Sequence, residues 1–242
     1  MPFVIIASLA AFIAGLTQSS LGFGMALILA PSIMLMIEPV AVVPTVLLMS
    51  LTNTSLVAVR SRHLIQWRLL LPLAVGGITG FTLGIRVLLL LDANAARLFV
   101  GLLVLVFTVV LWTGWRRPLP ETPWTLIPVG FVSGFTGGAT SIGGPPVALF
   151  LTNQNMPRDM FRANLVCYFC VISCYGIVRL TANGVLDASV ALYALTLFPA
   201  TVLGTVTGLV FGGRIPETMF RRAVFSLLFI MGVILVYNGA RT

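Results

Sequence analysis

The sequence predicts an all-α polytopic membrane protein of two inverted repeats, each a re-entrant or broken helical hairpin followed by three transmembrane helices. Three observations carry this expectation. Of the 242 residues, 59% are apolar and only 8% charged, where a soluble domain would carry roughly 25% charged residues. The apolar sequence falls into ten runs, and the first two of each half are too short for a full crossing of about 20 residues. Finally, glycines and arginines recur at constant offsets between the halves.

The apolar runs lie at about 2–15, 24–37, 39–59, 69–91 and 95–114, and again at about 125–135, 144–153, 163–181, 188–212 and 218–239. The opening residues, Met1-Pro-Phe-Val-Ile-Ile, have no charged leader and are expected to begin the first membrane segment. The first two runs of each half, about 10 to 14 residues long, read as two half-helices meeting at a polar loop. The remaining three runs of each half are long enough to span. Gly15, Thr17 and Gly24 match Gly134, Thr136 and Gly143 at one offset, and Gly80, Gly84 and Arg97 match Gly204, Gly208 and Arg221 at another. The expected repeats are 1–118 and 119–242. The Gly-x-x-x-Gly pairs on the fourth run of each half would let helix backbones approach closely.

The net charge is +8, and every basic residue is arginine. These arginines sit at the ends of apolar runs, so they read as topology signals rather than a nucleic-acid surface. With the Arg60–Arg68 loop inside, Arg60, Arg62, Arg68, Arg116, Arg117, Arg158, Arg162, Arg214, Arg221 and Arg222 lie inside. Arg86, Arg97, Arg179 and Arg241 lie outside. This bias places both termini outside, and the two hairpins enter from opposite faces. Arg86 and Arg179, near helix ends, are expected to snorkel, and His63 to be solvated in its basic loop.

The two hairpins contain Gly15-Leu-Thr-Gln-Ser-Ser-Leu-Gly-Phe-Gly24 and Gly134-Phe-Thr-Gly-Gly-Ala-Thr-Ser-Ile-Gly-Gly-Pro-Pro146. Broken hydrophobic segments at corresponding places in two halves point to a transporter's binding site. Half-helices beginning near Gly24 and Gly144 would aim unpaired N–H groups and positive dipole ends at one cavity, which favours an anion. Gly22, Gly24, Gly137, Gly138, Gly143 and Gly144 allow tight backbone turns and close approach, and Pro145 suits a first helical turn. Thr17, Gln18, Ser19, Ser20, Thr136, Thr140 and Ser141 add neutral donors. In the competing reading these glycines pack helices and the hydroxyls bond back to their own helices. Two such stretches at equivalent places favour a site. Asn53 either faces the cavity or bonds across helices, and Asn164 either lines a vestibule or sits at an interface.

Cys167, Cys170 and Cys174 share one helix face. They read as small packing residues without a disulfide, although the spacing would also suit a thiol relay. Glu38, Asp92, Glu121, Asp159, Asp187 and Glu217 lie at ends or in loops, which leaves no buried carboxylate to relay protons. An anion leaves a cell with a negative interior favourably by about 2.3 kcal/mol per charge per 100 mV, so the pattern leans toward export.

The sequence resembles the TauE/SafE family of sulfite exporters, also called the toluene-sulfonate-uptake permease family. The resemblance is carried by Gly15–Gly24 followed by Ala30-Pro31 and by Gly134–Pro146. Gly80 and Gly84 before the Arg97 helix, and Gly204 and Gly208 before the Arg221 helix, extend it over essentially the whole chain. It implies a bacterial inner-membrane permease for sulfite, organosulfonates or related sulfur anions. The expected protein is therefore a non-enzymatic exporter working by alternating access in a lipid bilayer, with no cofactor, metal or nucleic acid and with homo-oligomers left open. A membrane thiol-redox protein and an anion channel of the same fold are the alternatives.

Overall fold

The computed structural model describes residues 2–113, 119–211 and 217–240. Arg116, Arg117, Arg214 and Arg241, used above to orient the chain, lie outside the described residues, as does the end of the first expected repeat at 118. Ten α-helices follow in order: α1 (Pro2–Leu21), α2 (Met25–Met34), α3 (Pro39–Ser61), α4 (Trp67–Leu90), α5 (Ala93–Thr113), α6 (Pro123–Thr140), α7 (Gly144–Thr152), α8 (Arg158–Ala182), α9 (Ala188–Phe211) and α10 (Glu217–Ala240). Among the described residues there is no strand. Among the described residues, five helices (α1, α4, α5, α8 and α9) are long and apolar enough to cross a membrane. Large apolar side chains such as Leu71, Leu90, Leu192 and Leu203 stand exposed on the outside of the bundle, as suits a surface that faces lipid. This is a multi-pass membrane protein.

The helix ends follow from local chemistry. Pro39 and Pro123 open α3 and α6 at positions where a missing N–H costs no hydrogen bond. Thr122 and Thr125 form a reciprocal capping box on α6. The Asp92 carboxylate accepts the Ala95 N–H at 2.6 Å at the start of α5, and Asp187 accepts the Val190 N–H at 2.8 Å at the start of α9. Trp67, Trp112 and Trp124 are exposed at the start of α4, the end of α5 and the start of α6, as expected of rings at a membrane–water boundary. His63 is exposed in a short 3₁₀ turn, Arg62–Leu64.

The hairpins differ from expectation in one respect. Their second legs, α2 and α7, are short at 10 and 9 residues, but the first legs run to 20 and 18. The polar residues do not break α1 or α6, because their hydroxyls return to carbonyls one turn back. Thr17 bonds to the Ile13 carbonyl, Ser19 to Leu16, Thr136 to Val132 and Thr140 to Thr136. The helices end only at Gly22–Gly24 and at Ser141–Gly143, where the backbone turns left-handed at Gly22 (φ 87°), Gly24 (φ 114°) and Ser141 (φ 68°).

Two close helix pairs hold the first legs. α6 runs alongside α4 in the same direction: Gly76 meets Ile127, Gly80 meets Phe131 and Gly84 meets Phe135, with Gly130, Gly134 and Gly138 packed against Leu73, Gly77 and Phe81 in return. α1 follows α9 in the same way, with Gly204 against Phe12, Gly208 against Leu16, and Gly15 against Thr201. A Cβ at these glycines would collide with the facing backbone. Lipid is as apolar as leucine, so close backbone packing rather than hydrophobic burial drives such pairing. α5 and α10 run antiparallel, Gly101 against Val236 and Gly239 against Leu98.

Gly134→Ala should force α6 off α4 by pushing a methyl group into the Gly77 carbonyl, losing roughly 1–3 kcal/mol as for other overpacked sites. A lowered unfolding temperature in detergent is the readout, and an unchanged one would refute the close contact. Asp187 yields a pH prediction. The Val190 N–H, then the Ser189 hydroxyl, hold its carboxyl below the ordinary aspartate range. Its contribution is present above the unfolded pKa and is lost as pH falls through the lowered folded value. The parent should therefore be more stable than Asp187→Ala at neutral pH, and the gap should close on acidification below the usual carboxylate range.

Candidate functional site

The two breaks meet inside the bundle, where the ring and Cβ of Phe23 lie 3.7–3.9 Å from where a Cβ on Gly144 would stand. Between them is a cavity of about 50 Å³, room for three or four water-sized groups at roughly 10–15 Å³ each. The first break supplies Gln18, Gly24, Ala26 and Leu27 to its wall. The second supplies Ser133, Gly137, Ser141, Ile142, Gly143 and Gly144. Spanning helices close it with Val46, Leu47 and Ser50 from α3, Phe81 from α4, and Tyr168, Phe169, Ile172 and Ser173 from α8.

Of the residues expected at a site, Gln18, Gly24, Gly137, Ser141, Gly143 and Gly144 line this cavity. The others do not. Thr17 bonds to its own helix, and its methyl group would meet a Cβ on Gly24 at 2.7 Å, so it shapes the turn rather than facing the cavity. Ser19 bonds back to Leu16, and Ser20 points to the Gly208 carbonyl of α9. Gly22 packs against Arg162. Thr136 and Thr140 bond within α6, and Thr140 also accepts the Ile142 N–H at 3.2 Å. Gly138 meets Phe81 of α4, and Pro145 is buried in the first turn of α7. Asn53 ties three helices together, its amide donating to the Gly15 carbonyl at 3.3 Å and to Thr205 Oγ1 at 2.7 Å. Its reading as a bond across helices is the one realised. Asn164 is likewise buried, accepting the Gln66 N–H at 2.7 Å and so pinning the α3–α4 turn to α8.

Spacing in the polar stretches did not reveal Ser50, Tyr168 or Ser173, because each lies on a long spanning helix away from the two breaks, Ser50 at the start of the Ser50–Ser55 run that offered Asn53. Ser133 sits one residue before the second polar stretch. Its hydroxyl donates to the Gly143 carbonyl and accepts from the Tyr168 hydroxyl at 3.0 Å, so α8 reaches through α6 to fix the second break. Cys167 is buried, Cys170 half-buried and Cys174 exposed, and all three are free thiols, so only the first packs as expected. None of them lines the cavity. Among the described residues no group of three His, Cys, Asp or Glu side chains is placed to hold a metal ion.

The two helix starts differ chemically. At α2 the Gln18 side-chain carbonyl accepts the Met25 N–H at 3.1 Å, while the amides of Ala26 and Leu27 have no carbonyl one turn back to bond. At α7, Pro145 and Pro146 have no N–H at all, so Gly144 is the one first-turn amide on the cavity wall. Ser141 completes the set. Its hydroxyl is buried in the wall with no partner, on a residue only 8% exposed and held in the left-handed region. Both features are unfavourable in isolation: an unmade buried hydrogen bond costs about 1–3 kcal/mol, and left-handed backbone on a non-glycine about 1–3 kcal/mol. Both fall on one residue of the cavity wall, at the C-terminal cap of α6, where its own N–H bonds to the Gly137 carbonyl.

The family model described as "Sulfite exporter TauE/SafE" matches residues 7–235. A "Probable sulfite/organosulfonate exporter TauE" of Cupriavidus necator is 28% identical over 228 residues, covering 90% of this chain and 88% of that protein. No solved structure matches the chain.

The Tyr168–Ser133–Gly143 chain predicts an order of stabilities. Ser133→Ala leaves the buried Gly143 carbonyl unpaired and should cost about 1–3 kcal/mol, whereas Tyr168→Phe keeps that bond and should cost about 1 kcal/mol. Unfolding midpoints in detergent check the order, and equal midpoints would contradict it.

Proposed function

Because the chain belongs to the TauE/SafE sulfite exporter family, we propose that it carries a small sulfur oxyanion, sulfite or an organosulfonate, out of the cell. The anion sits in the cavity between the two breaks. Ser141 and the amides of Ala26, Leu27 and Gly144 donate to its oxygens, and Gln18 and Ser50 adjust beside it. The single observation that carries this reading is the buried, unpartnered hydroxyl of Ser141, a residue of the cavity wall with left-handed backbone. A half-helix start at each break adds partial positive charge without a fixed cation that would hold the ligand too tightly.

Transport follows alternating access, one bundle rocking against the other about this site. The fold is built from two inverted repeats, 1–118 and 119–242, in the inner membrane of a bacterium with both termini in the periplasm. Matching contacts support the repeat: Gly80 meets Phe131 as Gly204 meets Phe12, and Gly84 meets Phe135 as Gly208 meets Leu16. The antiparallel α5–α10 pair supports the inversion. The membrane potential supplies about 2.3 kcal/mol per charge per 100 mV for export of an anion.

Labelled sulfite flux in proteoliposomes tests the proposal. The expected result is saturable flux, inhibited by short organosulfonates, that falls about ten- to a hundredfold in Ser141→Ala, since a hydrogen bond to a charged group is worth about 1.5–3 kcal/mol. Flux without saturation would mark a channel. No flux and no sulfonate inhibition would defeat the substrate assignment.

A further inference from the structure

The cavity wall contains no arginine, lysine, histidine or carboxylate, and its one ionisable side chain is Tyr168, whose hydroxyl is already directed to Ser133. Its free donors are few and neutral. Gln18 occupies the Met25 amide, the two prolines empty most of the first turn of α7, and Ser133 is committed to Gly143. What remains is Ser141, the amides of Ala26, Leu27 and Gly144, the Gln18 side-chain NH2, which reaches Ser50 at 3.5 Å, and the α3 and α8 serines. The rest of the wall is apolar: Val46, Leu47, Phe81, Phe169 and Ile172. Desolvating an ion costs several kcal/mol even after relaxation, and the cost rises with the square of its charge, about fourfold from a monoanion to a dianion.

Building on the sulfur-oxyanion reading above, we infer that this site takes its substrate as the monoanion, so that the transported form of sulfite is hydrogensulfite. A doubly charged oxyanion would need a fixed cation or about twice the donors, and the wall has neither. The monoanion matches a handful of neutral dipoles, in a cavity with room for three or four water-sized groups. An organosulfonate carries the same single charge on the same three oxygens, so one site serves both.

The protein itself adds no titration near neutral pH at this place. Helices α1, α2, α6 and α7 carry no charged or titratable residue in their membrane segments. α3 carries Arg60 at its end, and α4 carries Arg68 and Arg86. α8 carries Arg158, Asp159, Arg162, Arg179, three cysteines, Tyr168 and Tyr175. Arginine stays charged throughout, and of all these only Tyr168 lines the cavity. Arg162 packs against Gly22 and is not part of the wall. The one histidine, His63, is exposed in the α3–α4 turn. A pH response between about 5 and about 8, the range in which an ordinary histidine would report, therefore belongs to the substrate.

The experiment compares initial rates of labelled sulfite and labelled methanesulfonate in proteoliposomes, at subsaturating concentration and equal pH on both sides. Protein-free vesicles are subtracted at each pH. Hydrogensulfite ionises near neutrality, whereas methanesulfonate remains a monoanion throughout. Above that ionisation the sulfite rate should fall about tenfold per pH unit while the methanesulfonate rate, or its potency as an inhibitor of sulfite flux, stays constant. A sulfite rate that is flat or rises with pH beside constant methanesulfonate would overturn the monoanion assignment and leave the transport reading standing. A parallel fall for both ligands would place the titration on the protein and overturn it too. Absence of sulfite flux and of methanesulfonate flux at every pH would defeat the transport reading and this inference with it.

Discussion

The structure depends on backbone-to-backbone contact between α4 and α6 and between α1 and α9. Gly134 lies directly over Gly77, and Gly204 over the Phe12 carbonyl, with no side chain between. Burial against lipid does not favour one apolar helix pairing over another, so separation is set by how closely the backbones can approach. These glycines bring the first leg of each hairpin hard against a spanning helix. That support lets each chain stop inside the bundle, at Leu21 and at Thr140, without its ends being exposed to hydrocarbon.

A helix that stops inside the bundle leaves polar groups that must be accounted for. Most are satisfied by neighbours: Gln18 takes the Met25 amide, Thr140 takes the Ile142 amide, and Ser133 serves the Gly143 carbonyl under the control of Tyr168. These bonds make the breaks rigid, so the groups that remain unpaired are held in place. The Ser141 hydroxyl is the clearest of them.

The two breaks are alike in position and unlike in chemistry. The first turns on two left-handed glycines and offers amides beyond a glutamine cap. The second turns on a left-handed serine and begins with two prolines. Positive potential from two helix starts is therefore combined with few hydrogen bonds, in a wall that is otherwise apolar and aromatic.

Composition and run lengths were enough to determine the membrane class, the all-helical fold, the shortness of α2 and α7 and the places where the chain breaks. These properties follow from the cost of burying charge and backbone in lipid, which acts on every residue through its local sequence. The length of α1 and α6 was misread because serine and threonine count as polar in a run but satisfy themselves on the carbonyl one turn back. Which hydroxyls face the cavity was decided only by tertiary structure. Thr17, Ser19, Ser20 and Thr136 turn away, while Ser50, Tyr168 and Ser173 arrive from helices distant in sequence. A side chain's facing depends on the rotation of its helix against its neighbours. That rotation is set here by glycine contacts between α1 and α9 and between α4 and α6, partners far apart in the chain.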